Sequence, residues 1–176
     1  MPQAGSHKAV FLVGFMGAGK TSVGRSLGRR LGWSFEDLDD HIQARAGQSI
    51  PEIFRDLGEA EFRRLETVSL RDLLRELDAG PRVVALGGGA FAQPENVAML
   101  EVAGVPVIFL DGTVEELFRR CEVEQRQRPL LRDANRFREL YEQRRPFYQA
   151  ASCHIDTTGK DIDGVAAEVA CRLGLE

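Results

Sequence analysis

A glycine-rich loop between an apolar run and a helical segment constrains this chain more than any other feature. Residues 14–21 read GFMGAGKT and fit the pattern G-x-x-x-x-G-K-[ST], after an apolar run at 9–13 and before helical spacing at 22–31. Such a loop turns backbone N–H groups toward phosphate oxygens, while its lysine adds positive charge and its Thr hydroxyl can ligate Mg²⁺. We therefore expect a nucleoside triphosphate to bind at Gly17, Ala18, Gly19, Lys20, Thr21 and Ser22.

Composition and charge exclude several other classes of protein. The chain has 176 residues, 43% of them hydrophobic, and a formal net charge of −4, which favours one domain without a nucleic acid or membrane partner. It has no apolar run of membrane-spanning length, and residues 1–8 lack the apolar segment of a signal peptide. Cys121, Cys153 and Cys171 are too scattered for a disulfide framework or a zinc site and suit a reducing cytoplasm.

Strand-like and helix-like segments alternate along the whole chain. This pattern predicts an α/β fold of one domain over residues 1–176, with three layers (α/β/α) around a central five-stranded parallel sheet. The strand candidates are residues 9–13, 34–37, 82–86, 105–110 and 154–156. The helix candidates are residues 21–31, 40–46, 50–56, 60–77, 95–102, 114–121, 136–148 and 162–173.

Two segments are longer or more polar than a simple strand–helix connection requires. Residues 39–78 place several helices between consecutive strands, which indicates an insertion. Residues 122–133 are polar and rich in arginine, as expected either of a lid that closes over phosphates or of a merely solvated loop. The composition of this segment alone does not distinguish a lid from a solvated loop.

Acidic residues follow the second predicted strand, next to the expected position of the phosphate loop. If the strand continues, Asp37 and Asp39 point to the same side, so that one can serve a metal and the other an acceptor hydroxyl. The alternative is that Asp39 or Asp40 caps the next helix.

Three further groups of residues have ordinary explanations as well as functional ones. The glycines at 87–89 either let a ligand approach the backbone or form a tight turn. Arg63, in the Glu-Phe-Arg sequence of a long helix, is typical of a solvated ion-pair face. Arg144 and Arg145 end another helix before Pro146, and physics alone singles out neither of them.

Taken in order, these motifs resemble those of the shikimate kinase family. The matching segments run from Val13 to about Thr157 and include Asp-x-Asp at 37–39, GQSIPEIF at 47–54, EFR at 61–63, GGGA at 87–90, RPLL at 128–131 and RRPFY at 144–148. The resemblance implies a P-loop kinase fold and transfer of phosphate from ATP to the 3-hydroxyl of shikimate. Rival hypotheses are another small-molecule kinase of this fold, acting on gluconate or a nucleotide, and a catalytically silent binding module.

The resemblance also implies a role for each matching residue. Asp37 would arrange Mg²⁺ through water beside Thr21, and Asp39 would contact the reacting hydroxyl. Arg63 and Arg144 would hold the carboxylate, with Arg145 left open as a second contributor. The backbone N–H of Gly88 would bind the substrate, Arg128 would act from a lid at 119–133, and residues 39–78 would form the shikimate-binding region. We expect a cytoplasmic monomer with Mg²⁺ as cofactor, and leave the adenine contacts unassigned.

Overall fold

The fold is built on a central parallel sheet, as the alternating pattern predicts. The computed structural model describes residues 7–124 and 133–175. Its strands are β1 (Ala9–Val13), β2 (Ser34–Asp37), β3 (Arg82–Ala85), β4 (Val107–Asp111) and β5 (Cys153–Asp156). All four neighbouring pairs are parallel, in the order β2-β3-β1-β4-β5. The predicted five-stranded parallel sheet is confirmed.

Helices connect these strands close to the predicted positions. The helices are α1 (Lys20–Leu31), α2 (Leu38–Ala46), α3 (Ile50–Arg75), α4 (Pro94–Ala103), α5 (Val114–Glu124), α6 (Ala134–Tyr148) and α7 (Ile162–Leu173). The candidates at 50–56 and 60–77 form the single helix α3, broken at Gly58, where φ is 83° and ψ is 172°. Among the described residues, no helix combines the length and apolar character needed to cross a bilayer.

The burial of β1 shows that helices cover both faces of the sheet. Successive residues of a strand point to opposite faces, and all of Ala9–Val13 is at most 1% exposed. The strands β2 (SFED) and β5 (CHID) have the fewest apolar residues, and they lie at the two edges of the sheet. Edge strands carry fewer apolar residues because part of each strand faces water, which explains their weaker sequence signal.

The residues between α2 and α3 end the first helix and begin the second. Gly47 ends α2 in the left-handed conformation, with φ of 65°. Ser49 then begins α3 with a capping box, in which its hydroxyl accepts from the backbone of Glu52 and the Glu52 carboxylate accepts from the backbone of Ser49. Together these helices fill the long connection between β2 and β3, where the sequence indicated an insertion.

The register of the strands brings three loops to one edge of the sheet. Ala85 pairs with Leu12 of β1 and with Asp37 of β2. The phosphate loop after β1, the acids at the end of β2 and the glycines after β3 therefore emerge side by side. In open α/β sheets, ligands bind at this carboxyl edge.

Candidate active site

The phosphate loop lies between β1 and α1 in a conformation that requires glycine. At Gly17, φ is +81° and a Cβ would lie 2.5 Å from the carbonyl oxygen of Leu117. The Nζ atom of Lys20 donates hydrogen bonds to the carbonyl oxygens of Gly14 (2.7 Å) and Phe15 (3.3 Å). Burial lowers the pKa of Lys20 to about 8, although nearby carboxylates act in the opposite direction. A phosphate in the loop would favour the charged amine.

Thr21 and Asp37 supply oxygen atoms next to this loop. The Thr21 hydroxyl donates a hydrogen bond of 3.2 Å to Oδ2 of Asp37. Hydroxyl and carboxylate oxygens suit Mg²⁺, which often keeps several waters and binds substrate phosphates with only one or two protein ligands. Within 7–124 and 133–175, no cluster of three or more His, Cys, Asp or Glu residues could hold a metal by itself. The residues present therefore fit a divalent metal shared with bound phosphates.

Asp37 and Asp39 line the same cavity, but strand alternation does not explain why they do. β2 ends at Asp37, and α2 begins at Leu38, so Asp39 lies in the first helical turn and strand alternation does not apply. Asp37 is the N-cap, and its Oδ1 accepts from the backbone N–H of Asp39 at 3.0 Å. The alternative that Asp39 or Asp40 caps this helix is wrong.

Asp39 lines a cavity of about 520 Å³, which we call the Arg63 cavity. Burial, followed by the charge of Asp37, raises the pKa of Asp39 to about 6, against the opposing effect of Lys20. A Cβ at Gly87 would lie 3.0 Å from Oδ1 of Asp39. The cavity brings together most of the candidate residues: Lys20, Thr21, Asp37, Asp39, Arg63, Gly88 and Arg144.

The glycines at 87–89 leave room for neighbouring side chains, and none of the three adopts the left-handed backbone conformation. None of the three is among the positive-φ glycines of the described chain. A Cβ at Gly88 would lie 2.8 Å from Nη1 of Arg144, and one at Gly89 would lie 2.5 Å from both terminal nitrogens of Arg63. Side chains at these positions would displace both guanidinium groups. A turn does form here, because the backbone N–H of Ala90 donates to the carbonyl of Gly87 at 3.1 Å, but the close approach of the two arginines is what favours glycine at 88 and 89.

Arg63 is held in the cavity by a buried carboxylate that sequence analysis did not identify. Its Nη1 donates to Oε1 of Glu66 at 2.8 Å, and Glu66 is fully buried. Oε2 of Glu66 has no hydrogen-bond partner in the described part of the chain. Burial raises the pKa of Glu66, whereas Arg63 acts to lower it. The neighbouring Arg64 instead forms an exposed pair with Glu61, so the solvated ion-pair interpretation holds for that residue.

Arg144 and Arg145 have different partners. Arg144 lines the Arg63 cavity, whereas Nη2 of Arg145 lies 2.6 Å from Oδ2 of Asp111 at the end of β4. This ion pair occupies the Arg145 guanidinium away from the residues that line the cavity. Arg145 is not among the described residues that line the Arg63 cavity.

A second cavity, of about 550 Å³, lies on the other side of the phosphate loop. We call it the Arg120 cavity, because Arg120 donates to the carbonyl oxygens of Gly17 (3.4 Å) and Thr157 (2.9 Å). Ser22 of the candidate loop also lines this cavity. Sequence analysis missed Arg120, since an arginine pair near the end of a helix has no distinguishing pattern. Arg128 and most of the 119–133 candidate lid lie outside the described residues.

The fold and the phosphate loop are those of a P-loop phosphotransferase, and two separate cavities border the loop. The family model described as shikimate kinase matches residues 16–173. A curated shikimate kinase of Geobacter metallireducens is 47% identical over 167 residues, which cover 93% of this chain and 90% of that protein. One from Thermus thermophilus is 41% identical and covers 93% and 89%, respectively.

A solved structure shows the same similarity. The structure of shikimate kinase from Acinetobacter baumannii in complex with shikimate matches with a TM-score of 0.82 and 36% identity, over 93% of this chain and 91% of that one. The chain belongs to the shikimate kinase family.

Proposed function

We propose that this protein transfers the γ-phosphate of ATP to the 3-hydroxyl of shikimate, giving shikimate 3-phosphate and ADP for aromatic amino acid biosynthesis. One observation carries the proposal. The acid Asp39 and the guanidinium groups of Arg63 and Arg144 line a single cavity that also contains Lys20 of the phosphate loop. A carboxylated alcohol in this cavity would have its hydroxyl beside the phosphates.

The two arginines are proposed to bind the shikimate carboxylate. Paired or forked guanidinium contacts are strong and directional for carboxylates. Arg63 is held by Glu66, and Arg144 approaches the backbone at Gly88, whose N–H is proposed as a further donor to the substrate. This arrangement would orient the ring so that one hydroxyl faces Asp39.

Asp39 is proposed to orient the 3-hydroxyl and to accept its proton as the phosphoryl group transfers. Its raised pKa, about 6, leaves it mainly ionised at neutral pH while making it a better base than an exposed aspartate. Phosphoryl transfer depends mostly on positioning and on stabilisation of charge, so a weak base is sufficient. Lys20 and the loop amides hold the transferring phosphate.

Thr21 is proposed to ligate Mg²⁺ directly, and Asp37 to hold it through water. When bound, the ion neutralises charge on the phosphates. The hydrogen bond between Thr21 and Asp37 places both oxygens beside the loop. We place the nucleoside of ATP in the Arg120 cavity, which the same loop borders.

The remaining assignments extend this proposal to the rest of the chain. Residues 39–78 are proposed as the shikimate-binding region, and 119–133 as a lid from which Arg128 reaches the transferring phosphate. Arg63 belongs to α3, which supports the first assignment. We propose a cytoplasmic monomer.

ADP release with different acceptors tests the proposed function. Shikimate should support turnover with ATP and Mg²⁺, whereas gluconate and nucleoside monophosphates should not; the reverse preference would make this protein a different kinase of the same fold. Arg63→Ala should raise KM for shikimate by about 10- to 100-fold, since a charge-assisted contact contributes about 1.5–3 kcal/mol. Arg64→Ala, at the exposed neighbouring position, is the matched control and should leave this KM unchanged.

A further inference from the structure

The peptide between Gly88 and Gly89 is held by a side chain, unlike its neighbours. The carbonyl of Gly87 accepts from the backbone of Ala90 at 3.1 Å, and that of Gly89 accepts from the backbone of Ala92 at 3.2 Å. The carbonyl of Gly88 instead accepts from the hydroxyl of Tyr148. Because glycine has no Cβ to restrict its backbone, this hydroxyl is the tether for the middle of the segment.

The side chain of Tyr148 is held in place by burial and by packing against an aromatic ring. Its side chain is 1% exposed, and its ring lies 5.4 Å from that of Phe109 in β4, centroid to centroid. Burial raises the pKa of Tyr148 to about 12, with Arg144 acting in the opposite direction, so the hydroxyl keeps its proton and remains a donor. Tyr148 is not among the described residues that line the Arg63 cavity, and its hydroxyl also interacts with the Arg144 side chain.

Arg144 lies one helical turn before Tyr148 on α6, so the two side chains emerge on the same face of the helix. Both meet the same glycine, because a Cβ at Gly88 would lie 2.8 Å from Nη1 of Arg144 and 3.6 Å from the Tyr148 hydroxyl. The position of the Gly88 backbone therefore depends on α6 through Tyr148, and it also limits where the Arg144 guanidinium can rest.

We propose that Tyr148 is a positioning residue, which holds the Gly88 backbone in register with Arg144 so that both meet the carboxylate of the acceptor. This inference rests on the proposed function, because it assigns Gly88 and Arg144 to the acceptor. Loss of the hydroxyl leaves the Gly88 carbonyl without its partner and frees the 88–89 peptide to rotate. The backbone N–H and the guanidinium then no longer converge. The nucleoside of ATP is proposed to bind in the Arg120 cavity, so affinity for ATP should change little.

Tyr148→Phe tests the proposal, because it removes the hydroxyl and keeps the buried ring. We expect KM for shikimate to rise by about tenfold, the effect of one lost hydrogen bond, while kcat and KM for ATP stay within about twofold. Tyr141→Phe is the matched control. Tyr141 lies on the same helix and also donates to a backbone carbonyl, that of Gly112 at 3.0 Å, away from the Arg63 cavity. It should leave KM for shikimate unchanged.

The controls separate positioning from general loss of structure. ADP affinity, measured by titration calorimetry, reports on the folded phosphate loop and should match wild type in Tyr148→Phe. An unchanged KM for shikimate would overturn the proposal, as would an equal loss of affinity for ADP and shikimate. If wild type turns over another acceptor and not shikimate, the proposed function fails instead. In that case, an unchanged KM for the true acceptor in Tyr148→Phe would also refute the positioning role.

Discussion

Gly89→Ala should weaken shikimate binding by displacing the guanidinium of Arg63. The new Cβ would lie 2.5 Å from both terminal nitrogens of Arg63. Ordinary contact distances are about 3.5 Å or more, so the guanidinium must retreat by about 1 Å. It has little freedom to do so within its present contacts, because Nη1 is already 2.8 Å from the buried Glu66 carboxylate.

The size of the effect follows from the contact that is lost. Hydrogen bonds to charged groups contribute about 1.5–3 kcal/mol, so KM for shikimate should rise by about 10- to 100-fold. The backbone itself accepts alanine, because Gly89 has φ of −102° and ψ of −7°. At such positions the change from glycine stabilises by about 0.4–1 kcal/mol. This gain opposes the cost of straining the contact between Arg63 and the buried Glu66, so the free energy of unfolding should fall by at most about 3 kcal/mol.

Steady-state kinetics and urea unfolding measure these two quantities, and a double mutant tests the cause. In an Arg63→Ala background there is no guanidinium to displace, so adding Gly89→Ala should change KM by less than about twofold. Additive effects of the two substitutions would refute this reasoning. An unchanged KM for shikimate in Gly89→Ala would refute it as well.

Further predictions concern the acid, the buried carboxylate and the arginine pair. Asp39→Asn should lower kcat by about 10²- to 10⁴-fold in kinetic assays, while ATP affinity by calorimetry stays near wild type. Because burial raises the pKa of Glu66, the folded protein keeps a proton that the unfolded chain releases, so stability falls as pH rises above the ordinary glutamate value. Glu66→Gln should reduce this fall in urea unfolding as pH rises above the ordinary glutamate value; an identical pH profile would contradict it. Arg144→Ala should raise KM for shikimate by about 10- to 100-fold. Arg145→Ala should leave KM unchanged and lower unfolding free energy by at most about 1 kcal/mol, because its pair with Asp111 is partly exposed.

Much of the fold could be predicted because its signals are local. The phosphate loop has a fixed pattern, and the central strands are continuous apolar runs. Even the break in α3 was visible as a gap between two helical segments, which the structure places at Gly58. The start of α2 was the exception, because the helix begins at Leu38 and not at the predicted residue 40. There Asp37 is the N-cap of the helix, and the strand alternation assumed for Asp37 and Asp39 does not apply.

The site could be predicted only in part, because its supporting contacts join distant segments. Physical reasoning from the sequence alone found Lys20, Thr21 and the acids, whereas Arg63 and Arg144 were identified through the family resemblance. In sequence, Glu61 and Glu66 each lie three residues from an arginine, but only Glu66 is buried in the folded chain, whereas Glu61 is partly exposed.

Identification of the phosphorylated product tests the central claim most directly. The protein, ATP, Mg²⁺ and shikimate should yield ADP and a phosphomonoester in equal amounts. Phosphorus–proton correlated NMR should assign the ester to the oxygen at position 3 of shikimate. The formation of inorganic phosphate with unchanged shikimate, or of an ester at another hydroxyl, would contradict the account.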